Sequence, residues 1–316
     1  DPIDYLICEQ CTLHLTAKDA HIGNASKATW PSFYWSILRS AEIHKKYSSS
    51  FIWRIVPLVW RSWWYEEIKE NDDFSPYAGR RSIMEAQADL VQARWESNLD
   101  QYDRTEMNSQ QPNFSCRVEL PSYFYIPNEL YYSFGGQLGK QINTQGGMDA
   151  LNEALYQLPT AEQVYSPEKY FSGEQYEVVE IANLQVDGYE LIKEGTVGAL
   201  DLPYILQDTI GRGASVQAAV GIGGGSWKDY VNSSQQLMMS VKMTGDNPTE
   251  LNEIYAAYSL WANAQSRFTS QQAFAGGTLY IGDTNVWIST DGKYVRIILT
   301  QELEIFNEIL SQINSF

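Results

Sequence analysis

Thr278-Leu-Tyr-Ile-Gly-Asp-Thr-Asn-Val-Trp-Ile-Ser-Thr-Asp-Gly-Lys-Tyr-Val-Arg-Ile-Ile-Leu299 places two runs rich in β-branched and aromatic residues around an Asp291-Gly292 dipeptide. Asp-Gly between such runs is a strong hairpin signal, because both central residues of the favoured turn need positive φ. Thr278 to Thr290 and Lys293 to Leu299 therefore read as an antiparallel pair. Upstream, Pro248 to Ala264 reads as a helix, with Asn247 as its cap, Pro248 at its first position, and Glu250 and Glu253 near its positive end. Gln301 to Ile313 reads as a closing helix.

Working back from this end, Gln236 to Met243 alternates Met and Val with polar residues and reads as a strand, as does Glu177 to Ile181. Val197 to Thr209 reads as a helix, and Ala214 to Val220 as a small, apolar stretch. Gly221-Ile-Gly-Gly-Gly-Ser226 lacks the Lys-Ser/Thr of a phosphate loop and does not complete G-x-G-x-x-G, so it reads as a tight turn. Further helices are expected over Arg80 to Asp103, Pro127 to Gln141, where Gly135 and Gly136 permit close packing, and Asp149 to Leu158. The polar stretch 104 to 119 reads as a loop. The expected fold is α+β, predominantly helical with a small C-terminal antiparallel β element.

Residues 1 to 70 differ in character, holding Trp30, Trp35, Trp53, Trp60, Trp63 and Trp64 and all three histidines. The expected organisation is a Trp-rich N-terminal region of unknown type over 1–70 and an α+β domain over 71–316, joined at Asn71-Asp-Asp-Phe-Ser-Pro-Tyr-Ala-Gly79. Phe51 to Tyr65 is too short for a spanning helix, which needs about 20 apolar residues, and is interrupted by Arg54, Pro57 and Arg61. No transmembrane span is expected. The run reads as a core segment or as an interfacial or partner-binding face, with Trp53, Trp60, Trp63 and Trp64 as the candidate surface.

A formal charge of -17 excludes a nonspecific nucleic-acid binder, which needs clustered cations to neutralise phosphates, and disfavours an anionic membrane surface. The acidity keeps a Tyr- and Gln-rich surface soluble. Cys8, Cys11 and Cys116 make no disulfide framework, although one bridge with a free thiol fits. Asn24, Asn113 and Asn232 head N-x-Ser triplets, weak glycosylation signals, and the absence of an initial Met fits a processed form with its signal peptide removed.

His14, His21 and His44 include no pair four residues apart, so a His-Glu-x-x-His zinc helix is excluded, and Ser-His-Asp and Cys-His hydrolases are disfavoured. Cys8-Glu-Gln-Cys11 with His14 is the best metal candidate, for Zn²⁺; a redox pair, a disulfide or core thiols are the other readings. Glu66-Glu67 and Asp72-Asp73 are acidic pairs that read as solvated charge.

Several segments occur in an order that resembles zinc metallopeptidases of the gluzincin type over residues 80 to 300. They are Met84-Glu-Ala-Gln-Ala-Asp89, Pro121 to Pro127, Gly146 to Tyr156, Leu158 to Glu174, Gly195-Thr-Val-Gly198 and Ala218 to Gly225. The resemblance implies that Glu85 occupies the place of the third zinc ligand. Ser166 stands where the family tends to have His, and Gly225 where its glycine-rich motif ends in Asp. These departures imply a noncatalytic relative with no cofactor, acting in binding or assembly through a protein partner or self-association, extracellular or at the cell envelope, with the cytoplasm as the alternative. A metal-dependent hydrolase with an unrecognised site and a structural subunit of a larger assembly are the rival expectations.

Overall fold

The computed structural model describes residues 74–109, 125–309 and 311–313. The chain divides into two units: 71–86 with 121–316, and the remainder, of which 87–109 are described. Helix α1 (Phe74–Ser97) begins in the larger unit and continues through the smaller, where α2 (Gln101–Ser109) follows. The larger unit continues with α3 (Ile126–Asn128), a π-helical segment (Glu129–Phe134), α4 (Gly135–Glu153), α5 (Ala161–Tyr165), α6 (Pro167–Ser172), β1 (Tyr189–Thr196), α7 (Asp201–Ile210) and α8 (Arg212–Val220). Then come β2 (Ile222–Asn232), β3 (Leu237–Gly245), α9 (Pro248–Ala264), β4 (Phe268–Phe274), β5 (Gly277–Gly282), β6 (Asn285–Thr290), β7 (Val295–Thr300) and α10 (Ile305–Ile309).

The strands form one seven-stranded sheet in the order β1-β2-β3-β7-β6-β5-β4, with every neighbouring pair antiparallel. This corrects the expectation of a predominantly helical chain with a small C-terminal β element. Strand pattern at both edges was faint for a physical reason. β1 and β4 are exposed along most of their length, so neither carries an apolar face, and each is bulged in its pairing.

Gly221 alone lies in a turn; Ile222 to Trp227 opens β2, and none of these glycines has positive φ. Glycine is required there for close approach. A Cβ at Gly224 would lie 1.9 Å from the Glu177 carbonyl oxygen. Glu177 to Ile181 is likewise no strand. The segment 177–186 buries Val179 and Ile181, then, after two exposed residues, Leu184 and Val186, and its polar groups meet β2 and β3 without a ladder. Glu177 N–H donates to Gly223 O (2.6 Å), Ser226 Oγ to Val179 O (2.6 Å) and Lys242 Nζ to Glu180 O (3.1 Å). Ile181, Leu184 and Val186 of this strap join Tyr230, Met238, Leu279, Trp287, Ile298, Phe306 and Ile309 in one core cluster.

Side chains alternate along strands, so Val241, Met243, Val286, Ile288, Val295 and Ile297 lie on the opposite sheet face, the side on which α9 packs with Leu251, Ile254 and Tyr258. The α9 start matches expectation: Asn247 Oδ1 accepts from the N–H groups of Thr249 (3.0 Å) and Glu250 (3.1 Å). The β6–β7 hairpin also matches, with Asp291 Oδ1 accepting from Lys293 and Tyr294 N–H (both 2.8 Å) and Gly292 at φ 84°. The single strand expected over Thr278 to Thr290 is two, β5 and β6, and the last helix is shorter than expected.

Among the helices, α1 starts earlier than expected and α2 takes up part of the expected polar loop. Gly147, at φ 68°, separates two helical stretches within α4. Small residues bring α1 and α4 together: a Cβ at Gly135 would lie 2.8 Å from Ser82 Cβ, and one at Gly139 would lie 2.3 Å from Ala86 Cβ. No helix among the described residues is long and apolar enough to cross a membrane.

Candidate functional site

The short helices α5 and α6 are each placed by local chemistry. Thr160 and Gln163 form a reciprocal capping box at α5, Pro167 opens α6, and Gly173 ends it in the left-handed region. Gln163 Nε2 then donates to Glu174 O (2.6 Å), folding the chain back beside Lys169. From the sheet side, Asp246 follows β3 directly and precedes the Asn247 cap of α9.

These elements converge on one ammonium. Lys169 is 8% exposed, and its Nζ lies 2.8 Å from Glu162 Oε1, 3.0 Å from Glu174 Oε1 and 4.0 Å from Glu250 Oε2, while donating a hydrogen bond to Asp246 Oδ2. Carboxylate oxygens of Glu162, Glu174 and Asp246 fall within 4.8 Å of one another. Burial alone would lower the Lys169 ammonium, but hydrogen bonds to Asp246 and Glu162 and the surrounding carboxylate charge outweigh it, raising it above its ordinary value. Burial pushes the Glu162 carboxyl up to about 9, offset only in part by Lys169. Burial likewise raises Glu250. Like-charged carboxylates sharing one cation cannot all ionise freely, and the most enclosed one keeps its proton.

A lysine held protonated is no nucleophile and forms no Schiff base at neutral pH. The carboxylate trio offers the all-oxygen donor set of a hard cation such as Ca²⁺, Mg²⁺ or Mn²⁺ rather than the nitrogen and sulfur donors typical of zinc. The Lys169 ammonium takes the place such an ion would use. Beside it, a polar groove of about 550 Å³ is lined by Gln217, Val220, Asn247, Thr249, Glu250 and Glu253.

The residues singled out by sequence fare differently. Glu85 is 5% exposed and lies 3.7 Å from Arg81 Nε, whose guanidinium sits over the Tyr131 ring. Ser166 is buried at the junction of α5 and α6. Gly225 lies inside β2, where its N–H donates to the Tyr176 hydroxyl (2.8 Å) and a Cβ would meet Met243 Cγ at 2.9 Å. Asn232 uses its amide in the β2–β3 turn, donating to Gln236 Oε1 (2.7 Å) and accepting from Ser234 and Gln236 N–H (both 3.0 Å). Cys8, Cys11, Cys116, His14, His21, His44, Trp53, Trp60, Trp63, Trp64, Glu66, Glu67, Asp72 and Asp73 lie outside the described residues.

Sequence reading missed Lys169 and Asp246. Only the Thr160–Gln163 capping box gave a local signal, and it marks a helix start, not a charge cluster. Comparison with protein-family models, with curated proteins and with solved structures finds no match.

Proposed function

We propose that the chain is a noncatalytic binding or assembly protein with a peptidase-like frame, acting on a protein partner or a second copy of itself. The observation that carries this reading is the seating of Lys169 among Glu162, Glu174 and Asp246. The ammonium occupies the carboxylate trio itself and ties α6 to the start of α9, an arrangement that supports a structural rather than a hydrolytic use of these carboxylates. The crowding at Gly225 supports the same reading, because the Asp expected of an active relative would collide with Met243 and Val197.

Metal analysis of the purified protein tests it. No stoichiometric zinc is expected, and zinc at one per chain that disappears in Glu85→Ala overturns the proposal. Association is tested by Trp63→Ala and Trp64→Ala, which are expected to abolish it while leaving thermal unfolding unchanged.

One observation favours a second reading, a metal-dependent hydrolase: the spacing of the three carboxylates. It requires Mn²⁺ or Ca²⁺ to displace the Lys169 ammonium. Calorimetric titration together with a hydrolysis assay decides between the two, since saturable metal binding and metal-dependent hydrolysis that are both lost in Asp246→Asn belong only to the hydrolase.

A further inference from the structure

The hairpin that decides the β region also gathers positive charge. Lys242 on β3 and Arg296 on β7 stand directly opposite each other, a like-charge pairing that destabilises an antiparallel pair. Tyr294 lies near three charges: Lys242 Nζ is 4.6 Å from its ring centroid, Lys293 Nζ 4.9 Å and Arg296 Cζ 5.8 Å. In a chain with 22 Lys and Arg against 39 Asp and Glu, chance placement does not favour three cations around one ring.

Compensation by the chain itself is incomplete. Asp291 holds Arg296 at 2.7 Å. Lys242 Nζ donates to a neutral acceptor, the Glu180 carbonyl. Lys293 is exposed; its hydrogen bond to the Tyr294 side chain acts on it most, with weaker fields from Glu177 and Asp291, and no carboxylate among the described residues is paired with it directly. Burial, with the Arg296 charge next, keeps the Lys242 ammonium below its ordinary value. With Asp291 set against Arg296, the charges of Lys242 and Lys293 remain, enough for a dianion.

We propose that Lys242 and Lys293, both beside the Tyr294 ring, form a surface site for a phosphate dianion, with the Arg296–Asp291 pair next to it. Ammonium groups suit this ligand because they bind phosphate as point charges without demanding bidentate geometry. Arg296, whose side chain is only 12% exposed, is held by Asp291, so the uncompensated charge is that of Lys242 and Lys293. The site does not depend on the role proposed for the Lys169 cluster.

The test is titration of the purified protein with inorganic phosphate, followed by amide NMR shifts in residues 291–296 and by acylation of Lys242 read by mass spectrometry. Saturable shifts and protection of Lys242 by phosphate, but not by chloride at matched ionic strength, are expected. Lys293→Ala, an exposed change that leaves the fold intact, is expected to weaken phosphate about tenfold, the loss of one charge-assisted contact. Phosphoserine in place of phosphate distinguishes the source, since tighter binding of phosphoserine identifies a phosphorylated side chain and weaker binding a free anion. No saturable shift with either probe, or equal protection by chloride, overturns the site.

Discussion

Lys169 and Asp246 stand 77 residues apart in the chain, and the ammonium of the first donates a hydrogen bond to the carboxylate of the second. Removing one partner of a buried pair leaves uncompensated charge, which costs about 3 to 5 kcal/mol. Lys169→Met, which keeps the stem and deletes the charge, is therefore expected to lower stability by about that amount in urea denaturation. Glu162→Gln should cost much less, because Glu162 already holds a proton at neutral pH. Equal losses in the two variants would mean that the cluster is not organised around the lysine.

The same cluster sets an alkaline limit. Glu162 rises from 4.5 unfolded to about 9 folded, so the folded state binds the extra proton throughout that interval. Stability from this group is fully present below 4.5 and is lost as pH rises through about 9. Glu250, raised in the same direction, adds to the loss. Thermal unfolding followed across this range should show Tm falling with pH, with a shallower fall in Glu162→Gln. An identical slope in the variant rules out Glu162 as the source.

Sequence made the α9 start, β3 and the β6–β7 hairpin legible because each carries its own local determinant: the Asn247 cap, Met and Val alternation, and the Asp291 turn. β2 was hidden by glycines that looked like a turn but answer to a strap arriving from Glu177. That strap buries two out-of-phase pairs, Val179 with Ile181 and Leu184 with Val186, and its partners are side chains and one glycine carbonyl. The Lys169 site was illegible because its members come from α5, α6 and the β3–α9 junction, and nothing local to Lys169 signals Asp246.

Gly224 tests the strap directly. With a Cβ placed 1.9 Å from the Glu177 carbonyl oxygen, Gly224→Ala must push the strap off β2. A loss of about 1 to 3 kcal/mol is expected, as for other overpacked sites. Gly213 in α8 is the control: a Cβ there meets nothing within 4 Å, and Gly213→Ala should gain up to about 1 kcal/mol by restricting the unfolded chain. Chemical denaturation of both variants checks the contrast.

The β4–β5 turn holds Ala275 at φ 46°, beside Gly276 at φ 74°. An L side chain is strained there, so Ala275→Gly should be neutral or stabilising by up to about 1 kcal/mol. Ala275→Val, branched at Cβ, should destabilise. Differential scanning calorimetry giving the opposite order would contradict the turn geometry.

Asp291 sets the acid limit at the other end of the pH scale. Burial would raise its carboxyl, but backbone hydrogen bonds from Tyr294 and Lys293 and the Arg296 guanidinium outweigh this and hold it at about 2. For a depressed acid the stability is present above the unfolded value of 3.8 and is lost as pH falls toward about 2. Its side chain is 43% exposed, so solvent screening limits the ion-pair share to about 1 kcal/mol or less. Asp291→Asn keeps an oxygen to accept from Lys293 and Tyr294 N–H but removes the charge opposing Arg296. The variant should retain the hairpin at neutral pH, shown by unchanged amide shifts at 291–294, and lose less stability than the native chain on acidification. It should also bind phosphate more tightly, because the same carboxylate that stabilises the turn is the anion closest to Arg296.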